Sequence, residues 1–242
     1  MKYALLLIGL CGTLGLQAQE EEWKEPSKES QAYHEYRLRE SVPPYGLEKV
    51  KKMIAAIPTG DEETLQKPNS KQYQALSLRE KFTYHMIHGE SFSQNCDAMP
   101  PIQEEHQKVF GYLPDVFGEY SWSAGQISFL KNNRDSVMAL IKESVGRSKR
   151  MGLNYKAALE EINAKEMIPF LVTTYNADQK DHDILTLLML LMKKNNYAPF
   201  VTATSYRKLY GADASYQAYL DLNKANEALI LKRATDFYNS HK

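Results

Sequence analysis

Residues 184–192, ILTLLMLLM, limit the folds open to this chain more than any other stretch, because only Thr186 among them is not strongly apolar. A helix of this length extends about 14 Å at ~1.5 Å per residue, well short of the roughly 30 Å hydrocarbon layer of a bilayer. The run lies between Asp181-His182-Asp183 and Lys193-Lys194. That places acids at the start and bases at the end, as the helix dipole favours. A helix that is apolar on nearly every side must be buried on nearly every side. The rest of the chain therefore has to supply elements that surround it.

The remaining pattern supplies helices. Residues 31–40 read as a helix that stops at Val42-Pro43-Pro44, and Leu47, Val50, Ile54 and Ile57 recur at helical spacing as far as Pro58. A further helix carries Tyr73, Leu76, Phe82 and Met86 and ends at Gly89. Pro101 is placed to open a short helix through Phe110, since proline in a first turn loses no hydrogen bond. Ser123 and Gln126 have capping-box spacing. Val137, Leu140, Ile141 and Val145 form one apolar face, and Asn154 and Asn163 are read as caps of two more helices. Residues 213–239 read as one long helix or two collinear ones.

With about ten helices and no alternating strand, the expected class is all-α. Two architectures fit: a multi-helix bundle, or a short α-solenoid-like stack of HEAT type. The second draws on an echo between Pro169-Phe170-Leu171-Val172-Thr173-Thr174 and Pro199-Phe200-Val201-Thr202-Ala203-Thr204, which suggests helical repeats in 154–240.

The first 19 residues have the layout of a secretory signal peptide. Lys2 supplies the positive end, an apolar stretch runs from Ala4 to Leu16, and Ala18 is a small residue suited to cleavage. Residues 20–45 follow as a polar segment with the first helix, and 46–242 as a single α-helical domain. Cys11 follows the bulky Leu10, whereas a lipoprotein cysteine follows a small residue, so lipidation is not expected. Removal of the leader leaves Cys96 as the sole cysteine, and stability has to come from packing without an internal disulfide.

Charge narrows the partners. Thirty Lys and Arg balance thirty Asp and Glu, which argues against nucleic acid, because phosphate binding needs a basic surface. Outside the leader no run approaches a membrane span, so an integral membrane protein is not expected.

Candidate chemistry concentrates at 85–106, where His85, His88, Cys96 and His106 occur together. His85 and His88, three residues apart near a helix end, could share a metal with Cys96 or His106 as the third ligand. The same residues could form a Cys–His dyad, although Asp97 beside Cys96 opposes a lowered thiol pKa. Gly89-Glu90-Ser91-Phe92-Ser93 misses the nucleophile-elbow pattern by a residue and lacks its strand-to-helix setting. Asp181-His182-Asp183 is read as helix-terminus chemistry. No catalytic motif stands in its proper context, and no cofactor is expected. The resulting expectation is an exported, non-enzymatic α-helical protein that binds another protein of a bacterial envelope or the extracellular space. The alternative is a metal-binding protein or hydrolase using 85–106.

Overall fold

The computed structural model describes residues 25–58, 64–93 and 100–241. The leader and Cys96 lie outside them. The described chain is mostly helical. Four helices come first: α1 (Lys28–Leu38), α2 (Leu47–Ala55), α3 (Ser70–Gln74) and α4 (Leu78–Ile87). Residues 70–89 thus form two helices where the spacing suggests one. Ser77 interrupts them because its side chain accepts the Glu80 amide while Glu80 reaches back, a complete capping box.

Three short strands occupy the middle of the chain, where the sequence predicts a helix and loops, and a fourth lies near its C-terminal end. β1 (Ser91–Phe92) pairs antiparallel with β3 (Tyr120–Ser121), Ser91 opposite Ser121. β2 (Lys108–Phe110) pairs with β4 (Tyr219–Asp221), Val109 opposite Leu220. The helix expected from Pro101 to Phe110 is only a 3₁₀ turn, Glu105–Gln107, leading into β2. Val109 and Phe110 prefer a pleated surface, and the ladder with β4 takes up their backbone groups. β4 likewise replaces the first part of the helix expected over 213–239.

Eight helices complete the fold. They are α5 (Ala124–Asn132), α6 (Arg134–Ser148), α7 (Leu153–Glu161), α8 (Ile168–Ala177), α9 (His182–Lys194), α10 (Ala198–Val201), α11 (Thr204–Tyr210) and α12 (Lys224–Asn239). The Ser123–Gln126 capping box opens α5 as its spacing predicts. The two asparagines have other roles than the expected caps. Gly152 is the N-cap of α7, and there is no room for a Cβ there beside the Ser41 backbone. Asn154 is instead fully buried, with its side chain bonded to the Ser41 backbone N–H and to the Ser41 and Met86 carbonyls. Asn163 lies just past α7 with φ 50°, a left-handed conformation that asparagine tolerates. Its side chain pairs with that of Asn195.

α9 is the centre. Every residue from His182 to Met192 is buried, and the helix packs against α7, α8, α10, α12 and β2. Val137, Leu140, Ile141 and Val145 of α6 belong to the same core. A small separate cluster, Val50, Leu76 and Tyr84, joins α2 to α4. Among the described residues no helix is long and apolar enough to cross a membrane.

Candidate functional site

Beneath α1 the fold buries a chain of charges. α1 turns Tyr33, His34 and Arg37 toward the body, the 3₁₀ turn contributes Glu105, α7 contributes Lys156, and the start of α9 contributes Asp181 and Asp183. Arg37 donates through Nη1 to Glu105 Oε1 at 3.0 Å. Its Nε and Nη2 donate to the two Asp183 oxygens at 3.2 and 2.8 Å, a bidentate grip. Lys156, fully buried, donates to Asp181 at 2.6 Å and stands 4.0 Å from Asp183. His34 Nδ1 lies 3.0 Å from both Glu105 oxygens. The Glu105 backbone N–H is held in turn by Ser30 Oγ at 3.0 Å.

Burial alone would push Asp183 up, but the Arg37 and Lys156 charges reverse this and hold it below the usual carboxylate range. Burial also opposes ionisation of Glu105, and hydrogen bonds from His34 and Arg37 outweigh it. Asp181 differs: burial pushes it up, and Lys156 offsets only part of that effect. Each cation in the chain is thus matched to a carboxylate at contact distance. Such an arrangement fixes α1, the 3₁₀ turn and α9 relative to one another.

A cleft of about 690 Å³ opens over this floor. His34, Arg37 and Glu105 line its base, and Ile102, Leu113 and Phe117 are among its apolar walls. The Arg37 guanidinium stacks 4.2 Å from the Phe110 ring centroid. Phe117 has φ 67°, a conformation costly for an aromatic residue. Its backbone N–H donates to Glu40 Oε1 at 3.3 Å and its ring meets Trp122 edge-on. A second recess of about 470 Å³ shares Leu113, Pro114, Asp115 and Phe117 with the first and is otherwise lined by residues such as Trp122 and Glu160.

No protein-family model, no curated protein and no solved structure matches this chain. What the cleft binds has to be read from its own side chains.

The histidines singled out by the sequence divide between two networks. His85 is buried in α4. The Gln126 amide Nε2 donates to its Nδ1 at 3.1 Å, so in the neutral ring Nε2 carries the proton and donates to the Tyr73 hydroxyl at 2.9 Å. Burial pushes its pKa down to about 3, with Lys81 and His88 adding to the effect. His88, the C-cap residue of α4, donates through Nε2 to the Gln66 carbonyl. His106 belongs to the other network, with Nδ1 3.0 Å from Ser30 Oγ. Ser30 is fully buried. Among the described residues no group of three His, Cys, Asp or Glu is arranged to hold a metal ion.

Asp181 and Asp183 stand at the start of α9, as the helix-terminus reading has them, but they do not serve there as side-chain caps. Asp181 makes no side-chain cap bond at α9, and both carboxylates aim at buried cations. Glu105 lies inside the 85–106 candidate stretch, whereas His34, Arg37 and Lys156 are absent from the sequence-derived candidates. One signal was available for Lys156, which interrupts the apolar run formed by Leu153, Tyr155, Ala158 and Leu159.

Proposed function

We propose that this chain is an exported, non-enzymatic helical binding module that holds a partner of the envelope or extracellular space in the cleft beside α1. The observation that carries the reading is the cleft itself. It has about 690 Å³ of space, largely apolar walls and a few convergent polar groups, the usual make-up of a ligand site. The buried charges below it are bonded to one another, which suits a rigid floor better than a reacting group. The bundle architecture is the better finer reading of the fold. α9 touches neighbours on many sides, including α12 and β2 far along the chain, whereas a HEAT-type repeat contacts only the repeats beside it.

Export belongs to the same proposal, with 1–19 as the leader, 20–45 as a polar segment with the first helix, and 46–242 as the domain. Mature protein should begin at Gln19 or Glu20, and an intact Met1 in the exported fraction would overturn export by cleavage. For the cleft, a photo-crosslinking residue at Tyr112, on its rim, should give one discrete adduct in producing cells. The same residue at Leu229, exposed on α12, should give none. No adduct from Tyr112, or equal labelling from both sites, would overturn the binding reading.

A further inference from the structure

α1 is held to the molecule in a different way from the other described helices. Each of the others places at least one side chain in or against the two apolar clusters, and α1 places none. Its buried residues are Ser30, Tyr33 and Arg37. The attachment is made of polar bonds. Arg37 pairs with Glu105 and Asp183, His34 with Glu105, and Ser30 Oγ with the Glu105 N–H. The Tyr36 hydroxyl donates to Asp178 Oδ2 at 2.8 Å, and Arg150 Nη2 donates to the Tyr36 and Arg39 carbonyls. The buried ring of Tyr33 packs on that of His182, yet neither the Tyr33 hydroxyl nor His182 Nδ1 has a hydrogen-bond partner. Two buried polar atoms thus stay unsatisfied at this seam, a cost that water would remove on separation. The ion pairs do little to oppose separation, because release rehydrates both partners and returns the desolvation penalty of pairing.

The chain just beyond α1 is fastened differently. The Ser41 N–H donates to Asn154 Oδ1 at 2.9 Å, Asn154 Nδ2 donates to the Ser41 carbonyl at 2.7 Å, and the Gly152 N–H donates to Ser41 Oγ at 2.8 Å, all of them buried. Ser41 is therefore a fixed point. Arg39, which leaves the helix with φ −70° and ψ 126°, lies between it and α1 as a non-helical joint.

We infer that α1 is a hinged strap: docked, it completes the cleft, and it swings away about Ser41 while the core stays folded. His34, Arg37 and Leu38 belong to the lining of the cleft, so release would dismantle the site and docking would assemble it. That consequence rests on the cleft being the binding surface; the hinged release does not. A partner seated against these three residues would hold the strap down, because it binds only the docked state. Segments with few apolar contacts are the ones that open below the free energy of global unfolding.

Native-state hydrogen exchange of the full mature chain, followed residue by residue by NMR at several low urea concentrations, tests the hinge. Amides of α1 from Ala32 to Leu38 should share one opening free energy, nearly independent of urea, and exchange at least about a hundredfold faster than those of α9. Tyr36→Phe, which removes the Asp178 bond and keeps the ring, should speed α1 exchange about tenfold and leave α9 unchanged. Exchange of α1 together with α9 would overturn the strap. So would protection that rises steadily from Ala32 to Leu38, the mark of end fraying, or an unchanged α1 rate in Tyr36→Phe. Early α1 exchange without any Tyr112 adduct would keep the hinge and end the binding reading. A Tyr112 adduct with α1 exchanging alongside α9 would do the reverse.

Discussion

Arg37 joins elements that lie 68 and 146 residues away from it in sequence, through Glu105 and Asp183. Its side chain is only 8% exposed and the two carboxylates less still, so water does little to screen the pairs. Buried ion pairs of this kind contribute little net stability, because desolvation offsets much of the Coulomb attraction. Their consequence appears when one partner is lost. Arg37→Met would leave Asp183 with Lys156 at 4.0 Å as its remaining cation and should cost about 3–5 kcal/mol. Adding Asp183→Leu removes the stranded charge and should recover part of that loss. Urea unfolding of the single and double variants tests the pairing. If the double variant is no more stable than Arg37→Met alone, the charges are not coupled as described.

At the scale of the element, α9 shows what the sequence could and could not reveal. Its apolar run predicts burial on most sides, and the helix is buried from His182 to Met192. Leu188 is fully buried, so Leu188→Ala should cost on the order of 2–5 kcal/mol from lost transfer energy and an uncollapsed cavity. Leu188→Asp should be worse, since it buries an unpaired carboxylate. Thermal melts of the purified variants check this, and unchanged melting temperatures would make the run an exposed docking face instead. The Ser123–Gln126 cap was legible for the same reason as α9: both are local patterns. The strands were not legible, because β1 to β4 are two or three residues long and too short to express an alternating period. The charged floor was hidden for another reason. His34 and Arg37 sit in a polar helix that reads as a solvated face, and the partners that bury them arrive from distant parts of the chain. The 85–106 histidines looked like one cluster only because they are close in sequence. In three dimensions His85 bonds to Gln126 and His106 to Ser30.

The whole molecule carries equal numbers of acids and bases, so near neutrality its response to pH is governed by particular buried groups and not by overall repulsion. Two of these are histidines in separate networks. Burial pushes His85 down to about 3 and His182 to about 4 from an ordinary 6.5, the latter with its ring 4.8 Å from that of Tyr33. In both, the folded state disfavours the proton that the unfolded chain accepts. Their contribution to stability is therefore complete above pH ~6.5 and declines as the pH falls toward the folded values. Between these limits each histidine lowers stability by up to about 1.4 kcal/mol per pH unit. Asp183 and Glu105, held below their ordinary range, add to the loss only at lower pH, where the unfolded chain begins to protonate its carboxylates. Unfolding free energy should thus begin to fall near pH 6.5, before ordinary carboxylates titrate. His182→Phe keeps an aromatic ring beside Tyr33 and removes one titrating group. Whatever it does to absolute stability, it should make the slope between pH 6 and 5 shallower. His85 remains, partly opposed by Asp181, whose raised carboxyl binds its proton more readily in the folded state. Urea unfolding of both proteins at several pH values in that window reads the slope directly, and an unchanged slope in the variant would mean that His182 is not held neutral by its burial.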